Sequence, residues 1–333
     1  MTEVGWSKTA PAQPSRVPPR CPVCDAEEFR VVFSGLRDRQ FDLDGDFTLW
    51  ECGSCGVRRI WPVPEDLARY YPDPYGPHQG LEGLGPRRPW HPLAWRLSFS
   101  RNSCVRDAAR ARIRGNEAAQ EMWAYLDRPP RSVLDYGCGS GRFLARLDQI
   151  RVPGRGVDFS PAAVERVVAR GLRAQVGSYE DLPEGLGVFD VVHLGHVLEH
   201  LTDPVTALSA VRAHVAPGGR LAVAVPNAAS ALAVIFGADW YQLDAPRHLW
   251  GFDEPTLRRV FERAGLEVER VVYAGQAGAI YQSLRYALES AGTPASLPDP
   301  PDSAIVHGLE ALADEWNGQQ EGDAILMIGS VRP

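Results

Sequence analysis

The chain has 333 residues, 44% of them hydrophobic and 23% charged, with a net charge of −7 at pH 7. This length and composition are typical of a globular protein with one large domain and a smaller one beside it. The acidic balance argues against general nucleic-acid binding, which needs an excess of Lys and Arg, and no apolar run approaches the roughly 20 residues that span a bilayer.

The first segment, residues 1–20, is polar and rich in proline. It lacks the apolar stretch of a secretory signal and has too little apolar surface to fold. We therefore predict a disordered lead-in. The expected location is cytoplasmic, without a membrane partner.

Four of the six cysteines form two Cys-x-x-Cys pairs that are separated by 27 residues. In a reducing cytosol such pairs indicate metal or redox chemistry more often than disulfides. Each pair lies at a tight turn, with the β-like runs FRVVFS and FTLWEC between the turns. This spacing is typical of a zinc ribbon, so we predict a structural zinc module over residues 21–60, with free thiols or a redox pair as alternatives. The predicted ligands are Cys21, Cys24, Cys52 and Cys55.

Residues 61–130 contain prolines, aromatic residues and a helical pattern at about 104–126, and are predicted to be a linker and helical cap region. From residue 131 to 333 the pattern alternates between strand and helix, which indicates an α/β domain. The predicted strands are 132–137, 154–160, 172–178, 189–195, 220–227, 266–274 and 324–331, with a turn at 217–219 before the fifth. The predicted helices are 141–149, 161–170, 196–215 in two pieces, 254–265 and 303–316.

The segment VLDYGCGSGRF joins the first predicted strand of this domain to a helix. Its glycines follow the order G-x-G-x-G, which departs from the G-x-G-x-x-G of dinucleotide sites. The preceding acid, Asp135, suits a cofactor with positive charge rather than phosphates. Asp158 ends the second strand, 17 residues after Gly141, where a carboxylate can accept both ribose hydroxyls of an adenosine group. A tight turn without a ligand is the alternative interpretation.

Four motifs in register, at the glycine turn, GVDFS, GSYEDLP and FDVVHLGHVLEHLTDP, resemble those of the class I S-adenosylmethionine-dependent methyltransferases. The resemblance implies a Rossmann-like sandwich with seven strands, the last antiparallel. It also implies that Asp135 and the turn hold the methionine end of the cofactor, Asp158 the ribose, and Ser178 with Tyr179 the adenine. The cofactor residues predicted in this way are Asp135, Gly137, Cys138, Gly139, Gly141, Asp158, Phe159, Ser178, Tyr179, Gly195 and His196.

Candidate catalytic residues lie in HVLEH, at the start of the helix after the fourth strand, and in a lid segment at 227–252. Transfer to a hydroxyl needs a base and accurate positioning. The candidates are His248, His196, His200, Glu199 and Tyr241. HVLEH also resembles the matching segment of quinone-biosynthesis O-methyltransferases, which implies as an alternative a divalent metal on His196, Glu199 and His200. His193 is predicted to be a core residue.

The ribbon and the segment after it, CPVC to DLARYY, resemble the amino-terminal module of bacterial methyltransferases that modify sugars and other small metabolites. The leading hypothesis is therefore methyl transfer to a small-molecule acceptor, a sugar or a secondary metabolite, at oxygen, with carbon and nitrogen as alternative acceptor atoms. Ribbons also occur on ribosomal RNA guanine methyltransferases, so an RNA substrate is one alternative. A protein that binds S-adenosylmethionine without transferring methyl groups is another.

Overall fold

A computed structural model describes residues 17–72, 88–113, 126–275, 277–293, 297–298 and 301–332. Residues 1–16 of the predicted lead-in lie outside the described residues. So do residues 73–87 and 114–125 of the predicted linker and cap region.

Eleven strands are formed by the described residues. They are β1 (Phe29–Leu36), β2 (Phe47–Cys52), β3 (Arg58–Trp61), β4 (Val133–Tyr136), β5 (Gly154–Asp158), β6 (Ala174–Val176), β7 (Phe189–Gly195), β8 (Val215–Pro226), β9 (Trp250–Gly251), β10 (Leu266–Ala274) and β11 (Ala324–Val331). Nine α-helices accompany them in the same part of the chain. They are α1 (His91–Leu97), α2 (Ser103–Arg112), α3 (Arg142–Gln149), α4 (Pro161–Ala169), α5 (Pro204–Arg212), α6 (Ala231–Phe236), α7 (Glu254–Arg263), α8 (Ala277–Ser290) and α9 (Ser303–Gly318).

The larger sheet has seven strands in the order β10-β11-β8-β7-β4-β5-β6. The strands from β4 to β8 pair in parallel, whereas β11 is antiparallel to both β8 and β10. The central strand β4 is buried at all four positions, because helices cover both faces of such a sheet. This order and direction confirm the predicted seven-stranded sandwich with an antiparallel last strand.

Three helices of the α/β domain begin at side-chain caps that the local sequence provides. Ser160, Asp203 and Asp253 cap α4, α5 and α7, since each side chain accepts a hydrogen bond from a backbone amide of the first turn. Each of these helices also has proline in its first two positions, where no backbone donor is lost. Helix α4 therefore starts close to the carboxyl end of β5, whereas α5 follows the 3-10 turn Leu198–His200 and α7 follows β9.

The smaller sheet combines the ribbon module with part of the predicted lid segment. Strands β1, β2 and β3 pair antiparallel in sequence, and β9 pairs with β3 through Arg58↔Gly251 and Arg59↔Trp250. The residues paired in β3 and β9 lie nearly 200 positions apart in the chain. The lid segment is thus hydrogen-bonded to the ribbon.

Several elements differ from their predicted bounds. Strand β8 begins at Val215, because the residues predicted as a turn lie within the strand, beside an irregular register between β7 and β8. The first predicted helical piece of 196–215 is a single 3-10 turn, Leu198–His200. The sequence did not predict α6, α8 or β9. Among the described residues, no helix has both the length and the apolar character required to cross a membrane.

Candidate functional site

Three glycines with left-handed backbone shape the turn between β4 and α3. Gly137, Gly139 and Gly141 have φ angles of 75°, 48° and 77°, which residues with a Cβ rarely adopt. The Gly137 amide donates to the carbonyl of Val157 in β5, at 2.7 Å. A Cβ on Gly137 would lie 2.4 Å from Cγ2 of Val197. The turn therefore requires glycine both for its conformation and for its close approach to the segment after β7.

Asp158 ends β5 and is only 3% exposed. Its Oδ2 accepts a hydrogen bond from the Gly139 amide at 2.8 Å, and its Oδ1 accepts one from the Ser160 amide at 2.9 Å. These bonds fix the carboxylate between the glycine turn and the start of α4. Each oxygen has a second lone pair, so the carboxylate can still accept hydrogen bonds from ligand hydroxyls.

A cleft of about 370 Å³ lies beside the carboxyl ends of β4 and β5. Open α/β sheets bind ligands at this edge, and the volume is within the range of small-molecule sites. Its walls come from the glycine turn, from the segments after β5, β6 and β7, and from the linker. The lining residues are Leu67, Ala68, Tyr71, Tyr136, Gly137, Asp158, Phe159, Gly177, Ser178, Tyr179, Glu180, Val197, His200, Leu201 and Thr202.

The linker wall of the cleft was not predicted. The ring of Tyr71 packs edge-on against that of Phe159, with centroids 5.9 Å apart, and its hydroxyl lies 3.0 Å from Nδ1 of His200. Phe159 keeps 54% of its surface exposed, which leaves an aromatic ring facing the site. The only sequence signal for Tyr71 is the aromatic pair YY, which alone gives no contact with the domain that follows.

Two histidines meet between the cleft and the lid segment, with ring centroids 4.7 Å apart. Nδ1 of His200 lies 3.0 Å from the Arg247 carbonyl, and Nδ1 of His248 lies 2.7 Å from the Gln242 carbonyl. Because a carbonyl only accepts, each of these contacts is a hydrogen bond when Nδ1 carries the proton, and the lone pair of the neutral ring is then on Nε2. Burial and the neighbouring His248 lower the pKa of His200 to about 4. His200 is therefore a neutral proton acceptor at pH 7.

A buried carboxylate lies beside these histidines. Glu199 has no exposed surface, and its Oε1 lies 3.3 Å from Nδ1 of His196. Burial would raise the pKa of Glu199, but His196 and the positive charge of protonated neighbouring histidines bring it below the ordinary value. Glu199, His200 and His248 each offer an atom within 4.8 Å of the others, so these three could hold a metal ion. That set differs from the predicted one, since His248 takes the place of His196.

Asp135 lies close to a core residue. Its Oδ1 lies 2.9 Å from Nδ1 of His193, and the ring of Phe143 stacks on His193 at 4.0 Å. His193 is 4% exposed, in agreement with its predicted place in the core. Asp135 does not line the cleft, whereas the next two residues, Tyr136 and Gly137, do, and its contact with the methionine end stays a prediction.

The predicted cofactor residues therefore separate into two groups. Those that line the cleft are Gly137, Asp158, Phe159, Ser178 and Tyr179. Those that do not are Asp135, Cys138, Gly139, Gly141, Gly195 and His196. Cys138 is buried against Gly156, where a Cβ would lie 2.6 Å from its Sγ, and the Gly139 amide is used by Asp158. His196 has a left-handed φ of 55° and contacts Glu199.

The predicted catalytic residues also occupy different places. His200 lines the cleft, whereas His248 lines a separate small cavity of about 20 Å³ between the ribbon strands and the lid segment. Tyr241 packs against Tyr286 of α8, with ring centroids 6.0 Å apart, and its burial raises its pKa. Neither His248 nor Tyr241 is thus among the residues that border the cleft. Glu199 and His196 adjoin His200 in the 3-10 turn and the residues before it.

The four paired cysteines come together at one end of the ribbon module. Sγ of Cys21 lies 3.8 Å from that of Cys55, and Sγ of Cys24 lies 3.5 Å from that of Cys52. The hydrogen bond between the two thiols lowers the pKa of Cys21 and raises that of Cys55. The cluster satisfies the geometric requirement for a four-thiolate metal site.

Comparisons with known proteins show which family the chain is similar to. Residues 108–271 match the profile of a family described as a methyltransferase domain. Ubiquinone biosynthesis O-methyltransferases of Xanthomonas oryzae pv. oryzae and Xanthomonas axonopodis pv. citri are 32% and 31% identical to the chain over 176 residues, which cover 49% of it and 71% of each relative. A solved chain from the complex between the Haloferax volcanii Trm112 methyltransferase activator and a methyltransferase is 22% identical, with a TM-score of 0.45, and the match covers 68% of this chain and 96% of that one.

Proposed function

Because the chain belongs to the class I S-adenosylmethionine-dependent methyltransferases, we propose that it transfers a methyl group to an oxygen atom of a small-molecule acceptor, a sugar or a secondary metabolite. The observation that carries the proposal is the presence of Asp158 and a neutral histidine, His200, in the walls of one cleft. The two Xanthomonas relatives described above are O-methyltransferases by name, which supports oxygen as the acceptor atom.

The residues of the cleft fit S-adenosylmethionine. Asp158 would accept the ribose hydroxyls through its remaining lone pairs, and Phe159, Ser178 and Tyr179 would flank the adenine. Gly137 leaves the space that a Cβ would fill, next to Val197. When bound, S-adenosylmethionine supplies an electrophilic methyl group on a sulfonium.

The chain itself would contribute the proton acceptor and the alignment of the reacting groups. A hydroxyl becomes a better nucleophile as it loses its proton, so a neutral imidazole within the same cleft is suited to accept that proton. We assign this role to Nε2 of His200. Its Nδ1–H remains bonded to the Arg247 carbonyl, and the carboxylate of Glu199 next to it would stabilise the imidazolium that forms.

We also propose that the four cysteines of the ribbon module hold a structural zinc ion. A tetrahedral site with zinc–sulfur distances of about 2.3 Å has sulfur atoms about 3.8 Å apart. The measured separations of 3.5 and 3.8 Å agree with this value. Four thiolates leave no open position, so the ion would have a structural role.

Cofactor binding is tested by calorimetric titration of S-adenosylmethionine into the wild type, Asp158→Ala and Glu165→Ala. Glu165 is exposed on α4, seven residues after Asp158, and provides the control. We expect binding to be lost in Asp158→Ala and unchanged in Glu165→Ala. Equal affinities in all three proteins would contradict the assignment of the ribose site.

Methyl transfer is tested with a tritium-labelled methyl donor and a panel of pyranosides, catechols and quinols. For the acceptor that is labelled, His200→Gln should lower kcat by roughly 100-fold or more while cofactor affinity stays unchanged. An unchanged kcat would exclude His200 as the base. Loss of wild-type activity with EDTA and its return with Mg²⁺ would instead favour the metal alternative. Cofactor binding without labelling of any acceptor would favour a protein that does not transfer methyl groups.

A further inference from the structure

A fully buried arginine connects the ribbon module, the linker and the lid segment. Arg247 has no exposed surface, and its guanidinium donates to Oδ1 of Asp38 at 2.8 Å, to Oδ2 of Asp244 at 2.9 Å and to the Tyr70 carbonyl at 3.3 Å. Asp38 is in the ribbon module and is 1% exposed. A buried ion pair contributes little net stability, because desolvation offsets most of the attraction.

The backbone of the same residue reaches the histidines. The Arg247 carbonyl accepts the Nδ1–H of His200, and this bond holds His200 in the tautomer with its lone pair on Nε2. His248 is the next residue in the chain, and its amide donates to the Asp244 carbonyl at 3.1 Å. The orientation of both imidazoles thus depends on where the Arg247 backbone lies.

The local backbone needs this support. Asp244 has a left-handed φ of 31°, a conformation that costs an ordinary residue free energy and persists only where its surroundings hold it. Both carboxylate oxygens of Asp244 bind the Arg247 guanidinium. Arg247 and Asp38 therefore hold the strained end of the segment that carries His248.

The other end of that segment is also attached to the ribbon module. The Ile60 amide of β3 donates to the Leu249 carbonyl at 2.9 Å, and β9 begins at the next residue. The Trp250 indole donates to the carbonyl of Leu201, which follows His200 directly, at 2.7 Å. The segment from Asp244 to Trp250 is thus fixed to the ribbon module on both sides of His248, and its end is fixed to the residue after His200.

We infer that Arg247 is a positioning residue that uses Asp38 of the ribbon module to set the orientation and tautomer of His200 and His248. The ribbon module accordingly contributes to the part of the site that would receive the acceptor, because it fixes the position of the lid backbone. The expected change in kcat rests on the proposed function, whereas the expected change in the histidine tautomers does not.

The test uses the full chain with Asp38→Asn, Arg247→Gln and the control Arg263→Gln. Arg263 forms another ion pair between the catalytic domain and the ribbon module, with Asp25 at 2.8 Å, but both side chains are at least 40% exposed and lie away from the histidines. Asp38→Asn keeps the shape of the side chain and removes its charge, which guards against a failure of Arg247→Gln to fold. Calorimetry with S-adenosylmethionine verifies that the cofactor half is intact.

The deciding measurement is the long-range ¹H–¹⁵N spectrum of the imidazoles, with His200 and His248 assigned from His→Gln variants. The wild type and Arg263→Gln should show both rings protonated on Nδ1. Asp38→Asn and Arg247→Gln should show a mixture of tautomers, and their kcat should fall 10-fold to 100-fold with cofactor affinity within about twofold, because a small misplacement of a catalytic group slows the reaction. Unchanged tautomers in Asp38→Asn would overturn the inference. If the wild type methylates no acceptor, the proposed function fails, and the spectrum still decides the positioning role.

Discussion

Replacing Gly137 with alanine tests whether the glycine turn is shaped by close packing as well as by backbone conformation. The residue has a φ of 75°, and a Cβ there would lie 2.4 Å from Cγ2 and 2.9 Å from Cγ1 of Val197. Heavy atoms do not approach each other this closely without displacement. Because the nearest atoms are the branched methyl groups of a residue that lines the cleft, the valine must move or the turn must open.

The two costs can be estimated separately. A left-handed conformation costs an L-residue about 1–2 kcal/mol. Extra atoms in a packed region cost roughly 1–3 kcal/mol, since they displace neighbouring side chains. Gly137→Ala should therefore lower the free energy of unfolding by roughly 2–5 kcal/mol. It should also weaken cofactor binding, because the turn and Val197 form adjoining walls of the cleft.

Two further variants separate these costs in urea denaturation. Gly171 has a φ of 78° and open space where its Cβ would lie, so Gly171→Ala should show the conformational cost alone. Val197→Ala removes both close methyl groups and leaves the valine Cβ at 3.2 Å, so it should recover most of the overlap cost when combined with Gly137→Ala. The reasoning is refuted if Gly137→Ala is no more destabilising than Gly171→Ala, or if Val197→Ala gives no recovery.

Three other predictions concern the histidine, the ribbon and the adenine wall. The pKa of His200 is about 4 in the folded chain and 6.5 in the unfolded chain, so the unfolded chain binds more protons between these pH values. The stability that this residue contributes, up to about 3 kcal/mol, should be complete above pH 6.5 and should disappear as the pH falls towards 4. His200→Gln should flatten that part of the stability–pH curve measured by urea denaturation. Cys52→Ser should abolish stoichiometric zinc in elemental analysis and lower kcat more than cofactor affinity, and retention of zinc would disprove the four-thiolate site. Phe159→Ala should weaken S-adenosylmethionine binding by roughly 10-fold in calorimetry with little loss of stability, because its ring is 54% exposed; a large loss of stability would indicate a packing role instead.

The bounds of three strands could be predicted accurately from the sequence. Those of β7, β10 and β11 coincide with the predicted 189–195, 266–274 and 324–331. Strands β7 and β11 are mostly buried and have apolar residues on both faces, whereas β10 is an edge strand that also contains charged residues. The start of β8 was missed because Pro217, Gly218 and Gly219 read as a turn, although the strand pairing continues through them with an irregular register.

Elements that depend on distant partners could not be predicted in the same way. Strand β9 has only two residues, and it exists because β3, nearly 200 residues earlier, supplies its hydrogen-bonding partners. The predicted helix at 196 is reduced to one turn because Asp203 and Pro204 begin a new helix, and a residue before proline is disfavoured in helical conformation. Local sequence preference explains the shortened helix, whereas only the tertiary structure explains β9.

The cofactor residues and the histidines of the candidate site differ in the same way, because local chain order fixes the former and distant contacts fix the latter. Asp158 and Gly137 reach the cleft because they end adjacent parallel strands, so their positions follow from the chain order alone. His200 and His248 instead depend on backbone carbonyls of Arg247 and Gln242, which any amino acid could supply and which no sequence pattern marks. The side-chain signal for that arrangement is the Arg247–Asp38 pair, which joins residues 209 positions apart in the chain. A change of acceptor would therefore require coordinated changes in the ribbon module and the lid segment, while the cofactor half could remain as it is.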